Sequence, residues 1–438
     1  MTEERVLRPV PISGFPEWLP EARLVELSWI DRIRRTFERY GYASIETPSV
    51  ESLDALLQKG ETSKEIYTLR RLQADEDDDS DARLGLHFDL TVPVARYVAQ
   101  HFNELDFPFK RYQIQRVWRG ERPQEGRFRE FTQCDIDVIN VDQVPLHFDA
   151  EIPRVVHEIL TALDIGAFRI RINNRKVLQG FYEGLGIKDP IATIRIADKI
   201  DKIGPDGVAA MLSEELGLDD DQVRACLDLT QIHTTDASFV DAVRELGVTS
   251  PLLDEGLGEL AFVMDELADL PHGDVEADLS IARGLDYYTG TVYEGKLVDF
   301  PSYPSVFAGG RYDDLAGTFI RRRLPGIGIS IGLTRLFAKL LAEGRIHIGP
   351  KTPTQVLVAL PGDERRAEAV RTAATLRRRG LNVETYHQAD KLAKQIRYAS
   401  RKQIPYVWFP PFRDDADHEV KDLHTGEQHP ADPATWHP

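Results

Sequence analysis

The clearest pattern along the chain is a period-two alternation over residues 110–138, KRYQIQRVWRGERPQEGRFREFTQCDIDV. Tyr112, Ile114 and Trp118 share one phase, with Arg119 just beyond them. Thr132, Cys134, Ile136 and Val138 form an apolar face, and Phe131, Gln133, Asp135 and Asp137 take the opposite one. Successive side chains in a strand point to opposite faces, so the pattern predicts two strands. The glycine-bounded stretch 120–127 between them is too polar for core and reads as a long loop.

Elsewhere the period changes. Residues 20–40 carry Leu24, Leu27, Ile30, Ile33 and Phe37 on one helical stripe, with Gly41 as the stop. Residues 43–48 read as a short strand ended by Pro48, which suggests a sheet edge or an interface. An acidic loop is expected over 73–81, a strand presenting Asp89 and Thr91 over 84–91, and a helix over 93–101. A helix over 146–163 and a strand over 169–172 follow the hairpin, and 175–268 reads as a helical insertion. Strand patterning returns over 278–294 and at 307–313, and 326–332 runs as a strand into a helix at 333–343. After a linker at 344–353, short strands alternate with helices (355–360, 364–379, 381–386, 390–402, 405–410), predicting a small α/β domain over 354–438 with a largely parallel sheet. The rest, 1–174 with 269–343, is expected to form one α+β domain, an antiparallel sheet flanked by helices.

Charge alters this picture locally. The chain of 438 residues has a net charge of −18, which argues against indiscriminate binding of polyanions. Yet residues 110–129 hold seven basic residues (110, 111, 116, 119, 122, 127, 129) against Glu121 and Glu125, and 351–402 hold twelve against five acids. Basic islands in an acidic body suit a defined nucleic acid. Arginines beside an amide and two carboxylates on one hairpin face suit a ligand with both phosphate and ammonium groups. The glycines of 326–332 allow backbone to lie flat against a ligand, but they form neither a dinucleotide fingerprint nor a P-loop.

Cys134 and Cys226 are the only cysteines, and no HExxH spacing occurs among the twelve histidines, so no metal site is expected. With no apolar leader or span-length run, the expectation is a cytoplasmic protein without membrane contact.

These elements resemble the class II aminoacyl-tRNA synthetases. The helix and strand ending at Pro48 look like motif 1, residues 112–138 like motif 2, and 328–335 (GISIGLTR) like motif 3. Two further stretches, ARGLDYYTGTVYE (282–294) and AGGRYDDL (308–315), are similar to signatures of the histidyl-tRNA synthetase family. The C-terminal α/β unit is similar to that subclass's anticodon-binding domain.

The resemblance implies a homodimer that activates L-histidine with ATP, accompanied by Mg²⁺, and transfers it to tRNA(His). It gives Arg119 the α-phosphate, Arg335 the adenine, and Glu121 and Arg127 further contacts to ATP. Arg283 would supply a catalytic positive charge that other members take from a metal. Asp89, Gln133 and Asp137 would hold the ammonium with Thr91 nearby, and Tyr287 and Tyr288 would line the histidine site, with Tyr288 reaching the imidazole. Arg122 and Gln124 would meet the tRNA acceptor end. Where the family often has arginine, this chain has His87, and Asp89 stands where many bacterial members have glutamate. The rival reading is a non-aminoacylating paralogue serving as regulatory subunit of ATP phosphoribosyltransferase; the intact RGLDYYTG stretch and the C-terminal domain speak against it.

Overall fold

The computed structural model describes residues 8–57, 64–71, 83–282, 288–314, 316–317, 319–411, 413 and 416–438. The acidic loop at 73–81, and Arg283 and Tyr287 among the candidate site residues, lie outside them.

Helix α1 (Pro20–Arg39) leads to strands β1 (Ala43–Ser44) and β2 (Val50–Ser52), helix α2 (Leu53–Leu56), strand β3 (Leu84–Leu86) and helix α3 (Thr91–Gln100). The hairpin follows as β4 (Phe109–Trp118) and β5 (Glu130–Ile139), then α4 (His147–Ala162) and β6 (Phe168–Asn174). Next come α5 (Arg175–Gly184), α6 (Pro190–Ala197), α7 (Ile200–Leu216), α8 (Asp220–Thr230), β7 (His233–Thr234), α9 (Phe239–Glu245) and α10 (Pro251–Glu266). Strands β8 (Val275–Asp278), β9 (Tyr288–Leu297), β10 (Phe307–Tyr312) and β11 (Gly326–Gly332) return to the sheet, and α11 (Leu333–Ala342) closes this part.

The sheet has nine strands in the order β1-β4-β5-β11-β10-β9-β6-β8-β7. Every pairing from β4 to β6 is antiparallel, whereas β1 with β4 and β6 with β8 are parallel. Two details differ from the sequence pattern. The expected strand at 43–48 shrinks to Ala43–Ser44, because Pro48 and exposed neighbours offer little ladder to pair. The stretch 175–268 is not wholly helical: β7 leaves the helices to pair with β8 at the sheet's end. In α1, Ile33 and Phe37 are fully buried as the stripe requires, but Leu27 is 45% exposed.

Glycines permit the central strands to approach one another. A Cβ on Gly309 of β10 would overlap the carbonyl oxygen of Gly328, and one on Gly328 would overlap the Asp137 carboxylate on β5. Here the backbone itself forms a surface, because no side chain fits.

At the far end, Arg171 of β6 is nearly buried and binds Asp278, with Ser280 at 2.8 Å and Glu294 at 3.2 Å. His233 of β7 adds a contact of 3.0 Å to Asp278. Burial alone would raise the Asp278 carboxyl, but His233, Arg171 and Ser280 outweigh it and hold the group down at about 2.

Residues 346–438, grouped with 17–29, form a second compact unit. Its strands and helices are β12 (Val356–Val358), α12 (Arg366–Arg378), β13 (Val383–Thr385), α13 (Leu392–Lys402), β14 (Tyr406–Phe409), β15 (Glu419–Asp422) and β16 (Gln428–Pro430). Its core gathers Val356, Val358, Ala373, Leu376, Val407 and Trp408. The order is β13-β12-β14-β15-β16, parallel across the first three and antiparallel beyond. The sheet is therefore mixed rather than largely parallel. The two added strands are short and polar (EVKD and QHP), and they lack the apolar runs that revealed the other three. Among the described residues no helix is long and apolar enough to cross a membrane.

Two stability outcomes follow. Gly309→Ala should cost about 1–3 kcal/mol or more, as overpacking against fixed backbone does. Gly258→Ala, in α10 with open space around its Cβ, should be neutral or stabilising. Urea unfolding of both variants checks this, and equal midpoints would contradict it. Asp278→Asn should destabilise by about 2–3 kcal/mol at pH 7, from a depression of roughly two units. Stability from a depressed carboxylate is present above its unfolded value and lost as pH falls. The gap to wild type should therefore close between about pH 4 and pH 2, and a gap unchanged at low pH would contradict the assignment.

Candidate active site

The site is built on the polar face of β5. Register places Gln115, Gln113 and Arg111 of β4 beside Gln133, Asp135 and Asp137, and places Gly332, Ser330 and Gly328 of β11 on their other side. Arg111 is fully buried and bonds Asp137. The sequence counted it among the basic residues of a ligand-facing hairpin, and charge alone could not show that it turns into the sheet. Tyr312 of β10 donates to Asp137 at 3.0 Å. Gln133 donates to the Ser330 hydroxyl at 2.6 Å. Burial pushes the Asp135 carboxyl up to about 7, although Arg111 and Ser330 pull it down.

Over this face lies a cavity of about 240 Å³. It is lined by Arg119, Arg127 and Arg335 with Glu121 and Glu65, and also by Asp89, Thr91, Gln133, Ser330 and Tyr288. Arg119 is aimed by its Nε donating to the Phe88 carbonyl at 3.0 Å, and its guanidinium lies 5.1 Å from the Phe131 ring centre. Arg335 donates to the carbonyls of Gly126 and Ser305, each at 2.6 Å. Those bonds hold the loop against α11, and Thr334 anchors that helix by accepting from the Thr132 backbone at 2.8 Å. Burial, and then the positive charge of Arg119, lower the Arg335 guanidinium from its ordinary value. Burial and the neighbouring Glu121 likewise raise Glu65. Glu121 lies between the arginines, 3.8 Å from Arg119 and 3.3 Å from Arg127. Three arginines interleaved with two carboxylates suit a polyphosphate carrying a cation.

A second, narrower chamber of about 30 Å³ shares Thr91, Tyr288, Ala308 and Ser330 with the first. It is walled by Asp135, Asp137 and Tyr312 and floored by Gly309, Gly310 and Gly328. Asp137 thus lines the narrower chamber, whereas Asp89 and Gln133 line only the larger one.

Of the residues singled out in the sequence, Arg119, Glu121, Arg127, Arg335, Asp89, Thr91, Gln133 and Tyr288 line the larger cavity. Arg122 is exposed and lines neither chamber; Gln124 faces a shallow outer groove with Phe15, Pro16 and Phe128. His87 is fully buried behind this wall, its Nε2 2.7 Å from the Arg116 carbonyl, and burial lowers its basicity. It packs against Trp118, with ring centres 5.5 Å apart, and backs the segment that carries Asp89. Sequence reasoning gave no role to Tyr312, Ser330, Glu65 or Arg111. Tyr312 lay inside the AGGRYDDL signature and could have been taken from it.

A family model described as histidyl-tRNA synthetase matches residues 14–336, and one described as an anticodon binding domain matches residues 355–433. The histidine–tRNA ligase of Thermobifida fusca is 70% identical over 436 residues, covering 100% of both chains. The crystal structure of histidyl-tRNA synthetase from a Nostoc species superposes with a TM-score of 0.86 at 39% identity, covering 98% of this chain and 97% of that one. A Bacillus halodurans structure titled ATP phosphoribosyltransferase regulatory subunit/histidyl-tRNA synthetase reaches a TM-score of 0.74 at 20% identity, with coverage of 90% and 97%. That last likeness shows a shared fold and no more. By the match over most of its length and by its full-length relatives, the chain belongs to the histidyl-tRNA synthetase family.

Proposed function

We propose that this protein is a histidine–tRNA ligase that activates L-histidine with ATP and transfers it to tRNA(His). The observation that carries this reading is a single cavity lined both by three arginines and by Asp89, Thr91 and Gln133, side chains suited to an amine. In the first step the histidine carboxylate attacks the α-phosphorus, and pyrophosphate leaves. In the second, a terminal ribose hydroxyl of tRNA attacks the adenylate carbonyl, and AMP leaves. The substrates supply both nucleophiles, so the protein's task is alignment and stabilisation of charge.

Arg119 meets the α-phosphate, Arg127 and Glu121 hold the rest of the nucleotide, and Arg335 stacks on adenine. Asp89 and Gln133 bind the ammonium beside Thr91. Asp137 shares that task in the family resemblance, but its place beside Tyr312 supports contact with the ring instead. Tyr288, on the wall of both chambers, reaches the imidazole. Arg283, as a catalytic cation, and Tyr287, at the histidine site, come from family likeness alone, being outside the described residues. Mg²⁺ accompanying ATP would meet Glu65 and Glu121, whose mutual crowding a dication relieves; one or two carboxylates suffice for nucleotide-borne Mg²⁺.

Arg122 and Gln124, outside the cavity, meet the tRNA acceptor end. Helix α13, with Lys391 before it and Lys394, Arg397 and Arg401 exposed along it, faces the anticodon arm. Self-association as a homodimer is supported by β1, an exposed edge strand that Pro48 keeps from extending.

Amino-acid-dependent exchange of pyrophosphate into ATP, without tRNA, tests the reading across all twenty amino acids. Exchange with histidine alone is expected; none with any amino acid, in folded protein, would overturn it. Arg119→Ala should slow exchange by about 10²–10³-fold, as loss of a charge-stabilising donor does. Gln124→Ala should spare exchange and slow charging of tRNA. The reverse order of effects would move the loop out of the acceptor site.

A further inference from the structure

The loop between β4 and β5 carries a tight turn. The Arg127 N–H donates to the Gln124 carbonyl at 2.9 Å, which puts Glu125 and Gly126 at the tip. Gly126 has a φ of +71°, the left-handed conformation that suits glycine at the third place of a turn. A Cβ there would come within 3.0 Å of the Tyr303 ring. Both tip residues are gripped by one helix. Arg335 takes the Gly126 carbonyl, and Lys339, one turn further along α11, donates to the Glu125 carboxylate at 2.9 Å. Tyr303 completes the grip, its hydroxyl donating to the Arg335 carbonyl at 2.8 Å.

On an ordinary surface helix, Lys339 would simply pair with Glu343 four residues on, and that bond exists at 2.8 Å. Such pairs leave the lysine in water and are worth little. Here the Lys339 side chain is only 12% exposed. Its Nζ stands 4.6 Å from the centre of the Phe300 ring and 5.2 Å from that of Tyr303, where the ring faces attract a cation. Its second carboxylate comes from a loop 214 residues earlier in the chain. Helix pairing alone accounts for neither the rings nor the loop. The far end of the gripped turn is Arg127, which lines the larger cavity and meets Glu121 at 3.3 Å. Lys339 itself does not line that cavity, so any effect on its ligand passes through the loop.

We propose that Lys339 is a positioning residue for the nucleotide. Through Glu125 it latches the turn at 124–127 onto α11, and the latched turn holds Arg127 and Glu121 at the cavity wall. The inference rests on ATP being the ligand of that cavity. Arg335 then has two tasks, one edge of its guanidinium holding the loop and its face meeting adenine.

The test is tRNA-free pyrophosphate exchange by the full chain, with ATP and histidine KM values measured separately. Lys339→Met keeps an apolar stem over the rings and removes the charge. It should raise the ATP KM by about three- to tenfold, the worth of one partly shielded ion pair with its ring contact. The histidine KM should stay within about twofold. Lys339→Arg should restore most of the loss, and Glu125→Gln should reproduce it. The double variant Lys339→Met with Glu125→Gln should be no worse than either single one, since both break the same contact. An unaltered ATP KM in Lys339→Met, or equal rises in both KM values, would overturn the inference. So would a double variant whose effect is the product of the single ones. Independently of the reaction, trypsin cleavage after Arg127, followed by mass spectrometry, should be at least about threefold faster in Lys339→Met than in wild type. Equal cleavage rates would also overturn it. Absence of any exchange with histidine in wild type would instead remove the functional reading, and the cleavage rates would still decide the latch.

Discussion

The structure turns on one strand that must be apolar on one face and charged on the other. Strand β5 buries Cys134, Ile136 and Val138 on one side, and Gln133, Asp135 and Asp137 on the other. Carboxylates cannot be taken out of water alone, because the desolvation cost of an unpaired ion is several kcal/mol. Arg111 meets that demand from the neighbouring strand, and Tyr312 adds a donor from β10. The glycines of β10 and β11 follow from the same constraint. A side chain at Gly328 would take the space of the Asp137 carboxylate, and one at Gly309 would push the β11 backbone away. Even the placement of Arg335 depends on β5, since Thr334 docks its helix on the backbone of Thr132.

Much of this was legible in the sequence, wherever burial and period agree. The hairpin stands within a residue or two of its reading, because ten-residue strands with one apolar face admit a single register. Helix α11 after its glycine strand, and the first three strands of the second unit, were plain for the same reason. What stayed hidden were features set by tertiary partners. A buried arginine looks like any other arginine until its carboxylate is placed, so Arg111 was counted with the loop's basic residues. Two-residue strands such as β7 carry no periodic signal and exist only because β8 offers an edge. The polar strands β15 and β16 resemble loops until β14 templates them. Tyr312 had the signature but no partner until β10 was set beside β11 and β5.

Charge is arranged to be uncomfortable where the ligand belongs. Three arginines line one cavity in a chain of net charge −18, with Glu121 beside Arg119 and Arg127, and burial lowers the Arg335 guanidinium and raises the Asp135 carboxyl. Folding alone would favour neutral or mutually paired groups there. Sites that hold such tension release it on binding, which is how binding energy is directed at a transition state.

The most direct measurement is a crystal structure with a non-hydrolysable histidyl-adenylate analogue. The account predicts adenine against Arg335, the phosphate surrogate at Arg119, and the imidazole against Tyr288 and Asp137. An analogue bound with its ring away from both, or with the polar face of β5 untouched, would contradict it.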